Sequence, residues 1–242
     1  MTDQISWTLI RNPRASSGKG EKKWPKIKSL LQESGIAFEE HVTTRPEHAM
    51  ELAEAAARAG KRHFIAVGGD GTVNEVVNGM LRVEDVDAEA FLLGQIPVGT
   101  GNDWGKTVGI PKKMQAAVAQ FKAPPVYVQD VGEVEYEDEG QMTRRFFVNI
   151  AGMGYDAFVG QDINARKARG QASIMGYVSG LLSCLMKYNA QPTTILVDEK
   201  AHAAAIIIAN TDAEAEDGAL GMGFFVDKNG GWLGIVFHQA GQ

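Results

Sequence analysis

His63-Phe64-Ile65-Ala66-Val67-Gly68-Gly69-Asp70-Gly71-Thr72-Val73-Asn74-Glu75 opens on an apolar run and closes on the start of a helix face carried by Val73, Val76, Val77 and Met80. A short apolar run beside turn residues reads as a buried strand, and spacing of i, i+3, i+4, i+7 reads as a helix. Between them stand three glycines around one aspartate. Gly68, Gly69 and Gly71 let the backbone approach phosphate oxygens closely. The helix that follows turns its N–H groups and the positive end of its dipole toward the same place. Asp70 alone would repel phosphate; it fits if Mg2+ lies between the two. The same residues also suit a tight turn in which Asp70 caps the helix, and GGDG by itself does not decide between these readings.

Working outward, further strands are expected at 5–10, 37–43 and 91–98. Trp24, Ile27, Leu30 and Leu31 recur at helical spacing before Gly35, which supplies a stop. Residues 46–59 form an alanine- and glutamate-rich helix, with Pro46 suited to its first turn and Gly60 to its end. Strands alternating with helices imply right-handed βαβ units and a parallel sheet. Ligands bind outside the carboxyl ends of such strands. Three polar, glycine-rich loops follow strands: Asn12-Pro13-Arg14-Ala15-Ser16-Ser17-Gly18-Lys19-Gly20, the loop at Asp70, and Gly99-Thr100-Gly101-Asn102-Asp103. In the third, Asn102 or Asp103 suits a helix cap as well as a ligand. The first is not a Walker A loop, because Lys19 is followed by Gly20 rather than Ser or Thr.

The pattern changes after Lys122, and Pro124-Pro125 marks a boundary between an α/β domain at 1–122 and a β-rich domain at 123–242. Strands are expected at 126–134 and 145–150, flanking an acidic loop at 135–140. A helical patch follows at 164–188, then strands at 193–197, 203–209, 223–226 and 232–237, in a mostly antiparallel arrangement.

With 242 residues, 44% hydrophobic and 22% charged, the chain can bury a core of ordinary size. A net charge of −6 argues against a general nucleic-acid binder. One cysteine, Cys184, permits no internal disulfide, so a cytoplasmic setting is expected. No signal peptide is expected at the N-terminus. The apolar stretch 173–188 is shorter than the ~20 residues a spanning helix needs, so we expect no transmembrane segment and at most peripheral attachment to a membrane. His41, His63, His202 and His238 show no metal-ligand spacing, and His48 suits a cap on the second helix.

Together these stretches resemble the diacylglycerol kinase catalytic-domain family, which includes bacterial lipid kinases and sphingosine kinases. The resemblance rests on Asn12-Pro13 with Ser17-Gly18-Lys19-Gly20, Thr43-Thr44 with His48-Ala49, GGDGTVNEVVNG at 68–79, PVGTGNDW at 97–104 and VNIAGMGYDA at 148–157. GGDGT alone is shared with NAD kinases; Asn74-Glu75 directly after it, with GTGND downstream, points to the lipid kinases. The resemblance implies an α/β nucleotide-binding domain followed by a β-sandwich, with a lipid hydroxyl phosphorylated in the cleft between them. It implies ATP contacts among Asn12, Thr43, Gly68, Gly69, Asp70, Gly71, Thr72, Val73, Asn74, Glu75, Thr100, Gly101, Asn102 and Asp103. Asp70 and Asp103 would place Mg2+. The acceptor would be a lipid alcohol at a membrane surface, diacylglycerol first among candidates. Beyond Asn210 the chain departs from the family's pattern, and no Asp-Gly-Glu motif, the family's source of a general base, precedes Gln242. Asp217, in Asp217-Gly218-Ala219-Leu220, is the substitute the sequence offers. Two other readings stand beside the lipid kinase: a nucleotide-binding regulatory protein with a degenerate site, and a soluble-substrate kinase of the NAD kinase type.

Overall fold

The computed structural model describes residues 5–153 other than 127 and 139, residues 159–162, 165 and 187, and strands at 193–197, 200–204, 206–210, 219–226 and 232–238. It contains two compact units. One holds the described residues up to Gln129 together with Glu133–Val148; the other holds Asp130–Gly132 and the described residues from Asn149 on.

In the first unit, β1 (Ser6–Arg11), β2 (Ala37–Val42), β3 (His63–Gly68) and β4 (Leu92–Pro97) form a parallel sheet in the order β2-β1-β3-β4. The register pairs Arg11 with both Val42 and Val67, and Gly68 with Pro97, so all four strands end at one edge. Between the strands run α1 (Ala15–Glu33), α2 (His48–Arg58) and α3 (Asp70–Leu81); α4 (Asp103–Thr107) and α5 (Met114–Ala119) follow β4. Residues of the central strands β1 and β3 are buried on both faces, as parallel strands covered by helices require. Trp7, Leu9, Ile65, Val67 and Ile96 pack with Trp24, Ile27 and Leu31 of α1 and with Val118 and Phe121. The alternate residues Ile10, Phe64 and Ala66 are also buried, as are Ala53 of α2 and Val73, Val76 and Val77 of α3. The helix face read at Val73, Val76, Val77 and Met80 is therefore the buried face. The α2–α3 approach is close: a Cβ on Gly79 would lie 2.2 Å from Met50 O.

Local details depart from the sequence reading. Pro46 lies ahead of α2 rather than in its first turn, because Glu47 takes a left-handed conformation (φ 63°) and the helix begins at His48. His48 does not cap that helix; its Nδ1 accepts from Thr44 N at 3.1 Å. Ser16, Ser17 and Gly18 have φ of 52°, 56° and 87°, so regular helical geometry in α1 starts only after this left-handed stretch. The acidic run is not a loop but mostly strand: β5 (Gly132–Asp138) pairs with β6 (Gln141–Phe147), and the turn comes at Gly140 (φ 81°). β6 packs against α3.

In the second unit, β7 (Ile150–Met153), β10 (Ile206–Asn210), β11 (Ala219–Val226) and β12 (Trp232–His238) form an antiparallel sheet in the order β12-β11-β10-β7. A second antiparallel pair joins β8 (Thr193–Val197) and β9 (Lys200–Ala204). The α/β architecture with a parallel sheet followed by antiparallel β structure is thus the one the sequence implies. The helical patch expected at 164–188, including Cys184, lies outside the described residues apart from 165 and 187, as does Asp217.

Candidate nucleotide site

β1, β3 and β4 are neighbours, so the three glycine-rich loops that follow them meet at one sheet edge. Asn12 leaves β1 with its N–H donated to Val67 O at 3.0 Å and its Oδ1 accepting from Arg14 N at 3.0 Å. Its Nδ2 donates to Thr72 Oγ1 at 3.3 Å, joining the first loop to the second. Thr72 is only 4% exposed, and a Cβ on Gly68 would lie 2.2 Å from its hydroxyl, so Gly68 is what lets Thr72 fold back against the strand end. The N–H groups of Thr72 and Val73 both close onto Gly69 O.

The second and third loops touch through backbone. A Cβ on Gly99 would lie 2.5 Å from Gly69 Cα and 2.6 Å from Asn102 Oδ1. Asn102, itself left-handed (φ 51°), bridges its own loop: Oδ1 accepts from Gly99 N at 2.9 Å and Nδ2 donates to Gly99 O at 3.0 Å. Thr100 Oγ1 lies 3.2 Å from Ser16 Oγ, which brings the first loop into the same cluster.

Asp70 does not cap its own helix. It is the first residue of α3, and its Oδ1 accepts from Trp104 N at 3.0 Å across the loops. Asp103 Oδ1 accepts from Lys106 Nζ at 2.7 Å. The remaining oxygens of both aspartates converge: a Cβ on Gly101 would lie 2.8 Å from Asp103 Oδ2 and 3.1 Å from Asp70 Oδ2. Two carboxylate oxygens facing one small space at this loop-lined edge suit Mg2+, which takes one or two protein carboxylates and fills its shell with water and phosphate oxygens. Among the described residues there is no group of three or more His, Cys, Asp or Glu fit to hold a metal.

The structure therefore brings Asn12, Gly68, Gly69, Asp70, Gly71, Thr72, Thr100, Gly101, Asn102 and Asp103 together. Thr43, 6% exposed, follows β2 on the same edge and donates its N–H to Arg11 O at 3.0 Å. Three side chains further along α3 point elsewhere: Val73 is fully buried, Asn74 Nδ2 donates to Phe146 O at 3.0 Å, and Glu75 Oε2 accepts from Ala49 N at 3.1 Å. Sequence reasoning passed over Arg11, Gln95 and Trp104. Arg11 stacks over Trp24 at 5.1 Å and bridges Glu40 at 2.7 Å and Glu21 at 2.6 Å, tying β2 and α1 to the first loop. Gln95, 1% exposed, donates to Gly68 O at 3.2 Å beneath the second loop. Trp104 closes the PVGTGNDW stretch, but nothing in its type marks the N–H that Asp70 uses.

Glu75 is half-buried, and burial pushes its carboxyl pKa up; hydrogen bonds from the backbone of Glu47 and Ala49 offset this only in part. The folded chain thus holds this proton more tightly than the unfolded chain. The resulting stability is complete below the ordinary carboxylate range and is lost as pH rises through the raised folded-state value. Glu75→Gln, uncharged throughout, removes the linkage. The melting temperature of the parent minus that of the variant should fall as pH rises from the ordinary carboxylate range upward. A difference that stays flat with pH would show that Glu75 titrates as it does unfolded.

A parallel α/β sheet with three glycine-rich loops and two convergent aspartates at its carboxyl edge defines an α/β domain of the GGDG type. The diacylglycerol kinase catalytic domain matches residues 6–134, and the chain belongs to that family. It is 30% identical over 173 residues to a diacylglycerol kinase of Bacillus subtilis, covering 72% of this chain and 54% of that protein. It is 32% identical over 146 residues to a diacylglycerol kinase of Staphylococcus haemolyticus, covering 60% and 41%. The chain spans about half the length of these curated relatives. A crystal structure of a diacylglycerol kinase from Bacillus anthracis superposes with a TM-score of 0.66 at 23% identity, covering 95% of this chain and 76% of that one; it supports the fold.

Proposed function

We propose that the chain transfers the γ-phosphoryl group of ATP to the hydroxyl of a lipid alcohol, diacylglycerol first among the acceptors. The observation that carries this reading is the convergence of Asp70 and Asp103 on the space beside Gly101, beneath loops whose backbones touch at Gly69 and Gly99. Phosphoryl transfer asks for positioning and charge stabilisation more than for covalent chemistry by the protein. Gly69, Gly71, Thr100 and Gly101 supply the closely approaching backbone, and Asn12 and Asn102 hold the loops in register. Asp70 and Asp103 would hold Mg2+, which when bound neutralises charge on the phosphates. The acceptor hydroxyl must shed its proton to an acid side chain within hydrogen-bond reach, a role we assign to Asp217 from its sequence context.

Among the described residues no helix is long and apolar enough to cross a membrane. A lipid alcohol resides in a membrane, so the acceptor would be met at a lipid surface. The test is transfer of label from ATP to a panel of lipid alcohols in mixed micelles, with NAD alongside. We expect labelled product from diacylglycerol, rising with its surface concentration. Phosphorylated NAD with no lipid product would sink the lipid reading. ATP bound without transfer to any acceptor would leave a nucleotide-binding regulatory protein.

A further inference from the structure

The two nucleotide loops reach one short stretch of chain by separate hydrogen-bonded routes. The first runs along α3, which starts at Asp70. One and two turns on, Asn74 Nδ2 and Asn78 Nδ2 donate to Phe146 O at 3.0 and 2.8 Å, and Phe146 N donates to Asn78 Oδ1 at 2.9 Å. Asn78, 2% exposed, thus serves both backbone groups of one residue, as a neighbouring strand would. The second route starts from the other loop. Trp104, whose N–H is held by Asp70, donates its indole Nε1 to Gln129 Oε1 at 2.8 Å, and Gln129 Nε2 donates to Val148 O at 2.7 Å. Phe146 and Val148 are the last part of the first unit; from Asn149 the chain belongs to the second.

We propose that Asn74, Asn78 and Gln129 are positioning residues, which fix the point where the chain leaves the first unit to the two nucleotide loops. One anchor would let the exit segment pivot; two anchors within three residues set both its place and its direction. The bonds are amide to backbone, so breaking the one from Phe146 N or the one to Val148 O takes away the partner given for that group. Their amides are committed to this chain and not to nucleotide, so their loss should separate turnover from ATP binding. The proposal rests on the lipid-kinase reading for its turnover measurement alone.

Asn78→Asp keeps the acceptor for Phe146 N–H and sets an oxygen against Phe146 O. Gln129→Glu keeps the acceptor for Trp104 Nε1 and sets an oxygen against Val148 O; it lies in a more open place, so it reports even if Asn78→Asp folds poorly. In each, amide hydrogen exchange at residues 141–148 should accelerate about tenfold. Mg·ATP affinity by calorimetry should stay within about twofold, while kcat on diacylglycerol micelles falls roughly tenfold at unchanged KM for ATP. Unchanged exchange in both variants would overturn the anchoring. Faster exchange with full turnover would overturn the positioning role, as would ATP affinity that falls in step with kcat. A parent chain that phosphorylates no lipid counts against the proposed function instead; the exchange rates then decide the anchors, upholding them if faster and overturning them if unchanged.

Discussion

Replacing Gly99 by alanine is expected to weaken Mg·ATP binding by about a hundredfold while leaving the parallel sheet folded. The added Cβ would stand 2.5 Å from Gly69 Cα, a backbone atom that no rotamer change can move aside. The loops after β3 and β4 must then part. The same Cβ would stand 2.6 Å from Asn102 Oδ1, the atom that accepts from Gly99 N, so the internal bridge of the third loop opens as well. Displacement of this order would remove the approach to phosphate proposed for both backbones and the register of Asp70 with Asp103. Gly69 is the more tolerant partner, since a Cβ there would stand 3.1 Å from Gly99 Cα. Gly99→Ala should therefore damage binding more than Gly69→Ala. The sheet should survive because Ile96 and Val98 remain in the core beneath. Calorimetry with Mg·ATP, paired with thermal unfolding, reads both quantities; parent-like affinity in Gly99→Ala would remove these loops from the nucleotide site.

The parallel sheet was legible in the sequence because its central strands β1 and β3 are buried on both faces, and β3 appears as a continuous apolar run ending in glycine. The loops were legible for the same reason: a polar, glycine-rich segment after such a run has few other uses. What escaped the sequence is tertiary. β5 lies on the surface with one of its faces half-buried at most, so its alternation of Val and Glu carried little apolar signal and the acidic run passed for a loop. Glu47 takes a left-handed conformation, and the Ala49 N–H in the first turn of α2 finds its acceptor in Glu75, 26 residues on; no local spacing announces this. Asn74 and Asn78 were visible as an i, i+4 pair of amides, yet their partner, the backbone of Phe146, lies 68 residues beyond Asn78 and has no side-chain identity to read. Sequence patterns report burial and turn chemistry well; they do not report which backbone group a polar side chain will find.

Asp70→Asn should cut phosphoryl transfer by about 10²–10³-fold and raise the magnesium concentration needed for what remains, with the fold intact. The substitution separates the two duties of this side chain. Oδ1 bridges the loops by accepting from Trp104 N, and Asn can keep that bond because its carbonyl oxygen takes the same position. The reverse orientation would set an amide NH2 against the Trp104 N–H, so the new nitrogen must replace Oδ2, the atom near Gly101 and Asp103 Oδ2. A donor then faces the place where two acceptors met, and half of the negative charge there is gone. Asp103 cannot take over alone, because its other oxygen is paired with Lys106 at 2.7 Å. Asp70→Ala provides the contrast: it loses the loop bridge as well, so it should lower thermal stability where Asp70→Asn does not. If Asp70 serves only the bridge, Asp70→Asn will match the parent in turnover and in magnesium dependence. The titration of activity against magnesium for the two variants and the parent decides between these roles.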